Sequence, residues 1–161
     1  MLTKSQIEKW LSGRLGDWFE KVEVIVDREE ITIIGHLPSQ DADDEMSRAG
    51  RITRFREQTR EQRIGIAGEL EHATGKKVSW GVRCGDMVRV FTRLSVPVMT
   101  RLKQDERAVL DTLVHASVAR SRSEALAWCV RLVGRHEADW LAELREAMQE
   151  VRQVAEQGPK P

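Results

Sequence analysis

Side chains able to contact an anion or a polar partner occur in two short stretches in the second half of this 161-residue chain. In the run VPVMTRL, residues 96–102, strand alternation places Met99 and Arg101 on one face. The joint ARSRSE further along contains Ser121 three residues before Glu124, the spacing of a capping box at a helix start. The first N–H groups of a helix have no partner inside it and favour a bound anion. Arg101 taken alone is typical of a solvated surface residue. Whether it contacts a partner therefore depends on the elements that carry these two stretches.

Arrangements for catalysis or metal binding are missing from the sequence. No nucleophile, paired carboxylate or metal-ligand spacing assembles around the four scattered histidines, which are His36, His72, His115 and His136. No glycine-rich phosphate loop occurs. Cys84 and Cys129 lie far apart among apolar residues, which predicts reduced core thiols of a cytoplasmic protein. We therefore expect no enzyme activity, no metal and no cofactor.

Composition and charge are those of a globular protein with an uneven charge distribution. The chain is 40% hydrophobic and 32% charged, and no apolar run reaches the ~18 residues that span a bilayer, so no membrane contact is expected. The net charge is zero, but residues 87–135 hold nine basic and four acidic residues between flanks of net negative charge. Such a basic middle favours an anionic partner.

Residues 1–94 predict a small α+β domain of unknown role, with the element order α-β-β-α-β-β and an antiparallel sheet. Apolar spacing predicts a first helix over residues 5–12, capped by Thr3 or Ser5. Two β-branched runs around the polar DREE predict a hairpin within residues 22–37.

The second half of this domain is predicted as one long helix and two strands. The helix runs over residues 43–73, with the acidic run DADDE at 41–45 in its first turn and Gly75 as a left-handed cap. Strands follow at 77–84 and 87–94.

Arginines recur along this long helix and allow two interpretations. They could line a nucleic acid, but Glu57 and Glu61 interleave with them, so a solvated helix face is the expectation. The residues are Arg48, Arg51, Arg54, Arg56, Arg60 and Arg63.

Residues 95–155 predict a second unit of one short strand and two helices, before a disordered tail at 156–161. The first helix is expected over residues 105–119. The second follows the Ser121 cap and is expected to continue to about residue 151, with a mild bend at Gly134, because its apolar stripe has no other breaker.

The short strand of this unit needs a partner. A single strand exposes backbone groups on both edges, and no second strand is predicted beside it. Pairing with a second copy about a two-fold axis satisfies one edge and lets the helices of both chains share a core. The chain is therefore expected to be a homodimer, with an interface that contains Val96, Val98, Thr100, Leu102, Leu110, Leu113, Leu126 and Val130.

A short strand, a helix opening DERAVLDTL, the joint ARSRSE and an apolar second helix resemble the ribbon-helix-helix family of dimeric DNA-binding proteins, over about residues 96–135. The resemblance implies that the paired strands enter the major groove, where the outward side chains read bases. Those side chains are Met99 and Arg101, with Lys103 at the strand exit. It also implies that the N–H groups opening the second helix bind a phosphate, at Ser121, Arg122 and Ser123 beside Arg120.

Pro97 leaves a second strand register open. Proline has no N–H and fits a strand only where its nitrogen faces a free edge. If FTRLSVP were the strand instead, Arg89, Arg93 and Ser95 would face outward. That register leaves extra residues before the helix joint and ranks second.

Two functions are consistent with these expectations. The first is a cytoplasmic, homodimeric, sequence-specific transcriptional regulator that binds double-stranded DNA through residues 95–155. The second is a protein-interaction module, antitoxin-like or a scaffold, that uses the same dimer core without DNA. In both, the first domain or the long last helix could dock a protein partner.

Overall fold

The computed structural model describes residues 2–38 and 44–158, and it divides into two compact units, residues 1–98 and 99–161. The division falls inside the run VPVMTRL rather than before it. Each unit is described separately. None of the helices in the described ranges has the length and apolarity needed to cross a bilayer.

The first unit begins with a capped helix and a hairpin, as predicted. Helix α1 (Lys4–Leu15) starts at Thr3, whose hydroxyl accepts a hydrogen bond from the Gln6 N–H. A short 3-10 turn (Gly16–Trp18) leads to strands β1 (Lys21–Val26) and β2 (Glu30–His36), which pair antiparallel. Asp27 closes the hairpin turn, because its Oδ1 accepts from the N–H groups of Glu29 and Glu30.

The sheet is mixed, so the prediction of an antiparallel sheet is wrong. Strands β3 (Lys77–Cys84) and β4 (Met87–Val90) complete a four-stranded sheet of order β1-β2-β3-β4. The β2–β3 pair is parallel and the β3–β4 pair is antiparallel. The helical crossover between β2 and β3 returns the chain to the end at which β2 began, and that forces the parallel pairing. β4 ends at Val90, short of the predicted residue 94.

The predicted helix over 43–73 consists of two helices, α2 (Glu45–Gln58) and α3 (Arg60–Thr74). Thr59 interrupts them with φ −102° and ψ 6°, and its hydroxyl donates to the Phe55 carbonyl alongside its own N–H, a side-chain bond of the kind that bends helices. Asp44 caps α2, whereas residues 41–43 of the predicted acidic turn lie outside the described residues. Gly75 ends α3 in the left-handed region (φ 71°), as predicted.

The arginines of α2 and α3 do not form one solvated face, and that expectation is wrong for Arg63. Its side chain is 8% exposed and packs into the unit. Arg48 is also largely covered and pairs with Asp86, at 3.4 Å from Nε to Oδ1. Arg54, Arg56 and Arg60 are exposed, as expected.

Two groups of buried side chains form the core of the first unit. The larger joins α1, the sheet and α3 through Ile7, Leu11, Leu15, Val24, Ile31, Ile33, Ile66, Leu70 and Trp80. The smaller joins Leu37, Ile52, Val82 and the thiol of Cys84. Gly35 on β2 admits the ring of Phe19, because a Cβ there would lie 2.2 Å from Phe19 Cε1.

The described part of the second unit contains three helices, α4 (Gln104–His115), α5 (Arg122–His136) and α6 (Ala138–Gln157). α4 ends four residues before the predicted 119, because the chain turns at Ser117, which has a positive φ of 59°. The prediction that the second helix is continuous is also wrong. It breaks at Glu137 (φ −110°, ψ 29°), not at Gly134, among weak helix formers that include His136 and Asp139.

α6 extends through Gln157, so the first residues of the predicted tail at 156–161 are helical. Residues 159–161 lie outside the described residues.

The core of the second unit is small. Only Leu110, Ala119 and Ala125 are buried in its described part, with a shell of half-buried apolar residues that includes Leu102 and Cys129. α6 carries an apolar stripe that stays largely exposed in the described part of the unit. The exposed fractions of Trp140, Leu144, Met148 and Val151 are 54%, 41%, 55% and 69%.

Candidate nucleic-acid interface

The segment of residues 92–103, called here the extended segment, forms no strand within the described residues. Val98 is 87% exposed and Met99 is 97% exposed, so within one chain both alternate faces reach solvent. Met99, Thr100 and Arg101 make no hydrogen bond or ion pair in the described part of the chain. The backbone donors and acceptors at the centre of this segment are therefore available to another strand.

The end of the extended segment is fixed to α4. Lys103 adopts an extended conformation (φ −74°, ψ 174°) at the N-cap position, and its N–H donates to Glu106 Oε2 at 2.7 Å. The Arg107 guanidinium donates to the Leu102 carbonyl at 2.7 Å, and the Leu102 side chain packs on the core of the unit. These two contacts therefore fix the direction of the segment at the point where the chain enters α4.

The turn between α4 and α5 holds the predicted anion-binding residues at the surface. Ala119 is buried and anchors the turn, and Arg120 to Ser123 follow it with exposed side chains. Ser121 caps α5, as predicted, by accepting the Glu124 N–H at 3.2 Å. Glu124 Oε2 in return accepts the N–H of Arg120, one residue before the cap, at 2.8 Å. The N–H groups of Arg122 and Ser123 have no acceptor among the described residues.

Arg122 joins the two helices through its side chain. Its Nε and Nη2 donate to the two carboxylate oxygens of Asp111 on α4, at 2.6 and 2.8 Å. This hydrogen-bonded pair lowers the pKa of the Asp111 carboxyl and raises the pKa of the Arg122 guanidinium. Two of the five N–H groups of the guanidinium therefore point at Asp111, and the backbone N–H of Arg122 is a further donor at the start of α5.

The predicted DNA-contact residues and the predicted dimer residues differ in their exposure to solvent. Exposure is shared by all seven predicted DNA contacts, Met99, Arg101, Lys103, Arg120, Ser121, Arg122 and Ser123. Among the predicted dimer residues, Val96, Val98, Thr100 and Val130 are exposed. Leu102, Leu113 and Leu126 are half-buried, and Leu110 is buried inside its own chain.

Sequence reasoning missed the Asp111–Arg122 pair and the grouping of Arg56 and Arg60 with Arg89 on the first unit. Arg56, Arg60 and Arg89 line one pocket there, with Phe91 as part of its wall. The signal available in the sequence was the spacing of Arg56 and Arg60 by one helical turn. The contribution of Arg89 depends on where β4 lies and leaves no trace in the local pattern.

Comparison with known proteins gives matches for both units. The family models described as "Rv1265-like protein, N-terminal domain" and "Mb1296 C-terminal domain" match residues 5–90 and 103–155. The chain is 56% identical over 156 residues to the uncharacterized protein Mb1296 of Mycobacterium bovis, covering 94% of this chain and 69% of that protein. The same values hold for the uncharacterized protein Rv1265 of Mycobacterium tuberculosis. No solved structure matches the chain.

Most of the extended segment lies between the two matched regions. Neither family description names the ribbon-helix-helix family, so that resemblance stays a prediction.

Proposed function

We propose that this chain, which belongs to the Rv1265-like family, is a cytoplasmic, homodimeric DNA-binding transcriptional regulator that reads the major groove with a ribbon of two paired strands. The observation that carries the proposal is the extended segment, which pairs with no strand among the described residues, in front of α4 and α5 with their small shared core. Its order of extended segment, α4, turn and α5 is the order of the family that the sequence resembles.

Dimerisation is supported by the apolar side chains that a single chain leaves exposed. The three residues buried in the described part of the second unit are few for its size, while Val96, Val98, Val130 and Val133 are 47–87% exposed. A second copy would pair the extended segments, satisfy their backbone groups and cover these valines. Each fully buried valine stabilises such a dimer by about 1.5–3 kcal/mol relative to an exposed one.

Base reading is supported by the register that Pro97 favours. Because proline cannot donate, its nitrogen must point away from the partner strand, and Met99 and Arg101 share its parity. Leu102, of the opposite parity, packs on the helices, so the side chains of Met99 and Arg101 would face outward, where an arginine can bind guanine with two hydrogen bonds. The exposed start of α5, with the free N–H groups of Arg122 and Ser123, suits a backbone phosphate.

A protein-interaction module is the second candidate, and the apolar stripe of α6 favours it. Trp140, Leu144, Met148 and Val151 repeat at helical spacing on an acidic helix that nucleic acid would repel. The same dimer core could present this stripe to a protein, with no contact to DNA.

DNA binding by the purified full chain separates the two candidates. Selection from random duplexes, followed by titration at several salt concentrations, should give a preferred sequence and an affinity that falls steeply with salt. Arg101→Ala should weaken the preferred site by roughly 1–3 kcal/mol and random duplex much less. Lys103→Ala should weaken both alike. Arg93→Ala is the matched control, because it removes another exposed arginine that matters only in the second register.

Hydrogen exchange at single residues tests the ribbon itself. In the dimer the Thr100 amide should be protected and the Met99 amide should exchange fast. The reverse pattern would invert the face that reads DNA. Absence of duplex binding by a folded dimer at low salt would refute the regulator and leave the interaction module.

A further inference from the structure

A pocket on the first unit gathers positive charge around an apolar wall. Its volume is about 490 Å³, within the usual range for small-molecule sites. One side consists of α2 and the start of α3, and the other is the end of β4 with Phe91. The apolar lining comes from Ala49, Ile52, Val90 and Phe91.

Three arginines line this pocket and are poorly neutralised by the protein. Within the described residues, Arg56 and Arg89 have no carboxylate within 4 Å. Arg60 lies 3.4 Å from Glu61, but both side chains are largely exposed, which makes the pair weak. Glu57 is the one acidic residue in the lining. Positive charge therefore exceeds negative charge where a ligand would bind.

Arg63 adds a fourth guanidinium behind the wall. Its Cζ lies 4.8 Å from the centre of the Phe91 ring, and Arg56 Cζ lies 5.7 Å from the same ring. It donates to Thr59 Oγ1 at 3.0 Å and to the Arg56 carbonyl at 2.7 Å, with no carboxylate in the described structure within 4 Å. Burial, together with Arg56 and Arg60, lowers the pKa of Arg63. A buried cation without a counter-charge is costly, and an anion bound nearby would offset that cost.

We propose that this pocket binds a small organic phosphate, with the phosphate groups held by Arg56, Arg60 and Arg89 and the organic part against Val90 and Phe91. Guanidinium groups bind phosphate oxygens through pairs of parallel hydrogen bonds. Two or more negative charges match the three arginines better than a single carboxylate does. A small molecule fits better than a nucleic-acid backbone, because the arginines surround a concavity instead of following an extended surface.

Isothermal titration of the full chain with inorganic pyrophosphate and with a nucleoside diphosphate tests the site. Pyrophosphate measures the contribution of the arginines alone, and the nucleoside diphosphate adds a flat organic part. Both should bind saturably, one per chain, the second roughly tenfold tighter because it also buries apolar surface. Arg56→Gln and Arg89→Gln should each weaken binding by roughly tenfold to a hundredfold, the loss of a hydrogen bond to a charged group.

Two control variants separate this site from other positive charge on the protein. Arg28→Gln makes the same charge change at the exposed hairpin turn, and Arg101→Gln makes it in the extended segment. Both should bind pyrophosphate within about twofold of the unmodified chain, because distant surface charges are screened by salt. Circular dichroism must show that every variant keeps the native fold.

Several results would overturn the proposal. One is no saturable binding of either probe by the folded chain at millimolar concentration. Another is equal weakening by Arg28→Gln, or loss in Arg101→Gln without loss in Arg89→Gln, since either would move the anion elsewhere. A third is binding of an oligonucleotide that Arg89→Gln abolishes while pyrophosphate does not bind, which would make these arginines nucleic-acid contacts. The outcome is independent of whether the second unit binds DNA.

Discussion

Replacing Val98 with alanine tests the pairing of the extended segment with a second copy. In one chain the Val98 side chain is 87% exposed, so its truncation removes almost no contact within the chain. In the proposed ribbon it lies over the helices and is buried. Two lost methyl groups then destabilise the interface by about 1.6 kcal/mol per chain and about 3 kcal/mol per dimer, at about 0.8 kcal/mol for each buried carbon. That is roughly a two-hundredfold weaker dimer.

Met99→Ala is the matched control for Val98→Ala. Met99 is 97% exposed in one chain and has the opposite parity, so in the ribbon it faces the solvent. Its truncation should change the dimerisation free energy by no more than about 0.5 kcal/mol per chain. Because the two residues are adjacent, unspecific effects on the segment act on both.

Sedimentation equilibrium over a wide concentration range measures both dissociation constants. Circular dichroism of each variant must first show an unchanged fold. If Met99→Ala weakened the dimer as much as Val98→Ala, or more, the assigned parity would be wrong. If neither variant changed the dissociation constant, the extended segment would not be in the interface.

Three further predictions concern stability. Gly35→Ala should destabilise the first unit by about 1–3 kcal/mol in urea unfolding, since its Cβ would meet the Phe19 ring. Gly65→Ala, the control in a helix with open space around it, should stabilise the unit by about 0.5–1 kcal/mol. Equal effects of the two variants would contradict the packing of Phe19 on Gly35. Ser121→Ala should cost about 1 kcal/mol through loss of the α5 cap, whereas no loss in urea unfolding would mean that Glu124 alone suffices. The pKa of Asp27 is lowered from 3.8 by the N–H groups of Glu30 and Glu29. The ionised carboxylate therefore stabilises the fold above pH 3.8, and this stabilisation is lost as the pH falls below that value. Asp27→Asn should flatten this part of an acid-unfolding curve, and an unchanged curve would refute the role of Asp27 in the hairpin turn.

Local signals predicted the features that neighbouring residues decide. The β1–β2 hairpin follows from two β-branched runs around a polar turn, and the pairing of Lys21–Val26 with Ile31–His36 agrees with it. The caps at Thr3, Ser121 and Gly75 follow from single residues with distinctive hydrogen-bonding groups or backbone freedom. Each of these signals spans a few residues and needs no knowledge of the rest of the chain.

Helix lengths were predicted less well, because an apolar stripe records burial and not continuity. The stripe crosses both Thr59 and Glu137, yet the backbone leaves the helical conformation at each. At Thr59 a hydroxyl bond to the Phe55 carbonyl favours the break. The polar side chains at these positions were visible in the sequence, but threonine and glutamate also occur inside helices.

The sequence by itself determined the hairpin, the caps at Thr3, Ser121 and Gly75, the apolar faces and the presence of a segment that has no strand partner among the described residues. Only the tertiary structure decided that β3 lies parallel to β2, that Arg63 is buried, that Asp111 holds Arg122, and that Arg89 lies in one pocket with Arg56 and Arg60. These features join residues between 11 and 47 positions apart or depend on how helices pack on the sheet. Propensity and periodicity act over one or two turns, whereas such contacts arise from burying the apolar faces of distant elements together.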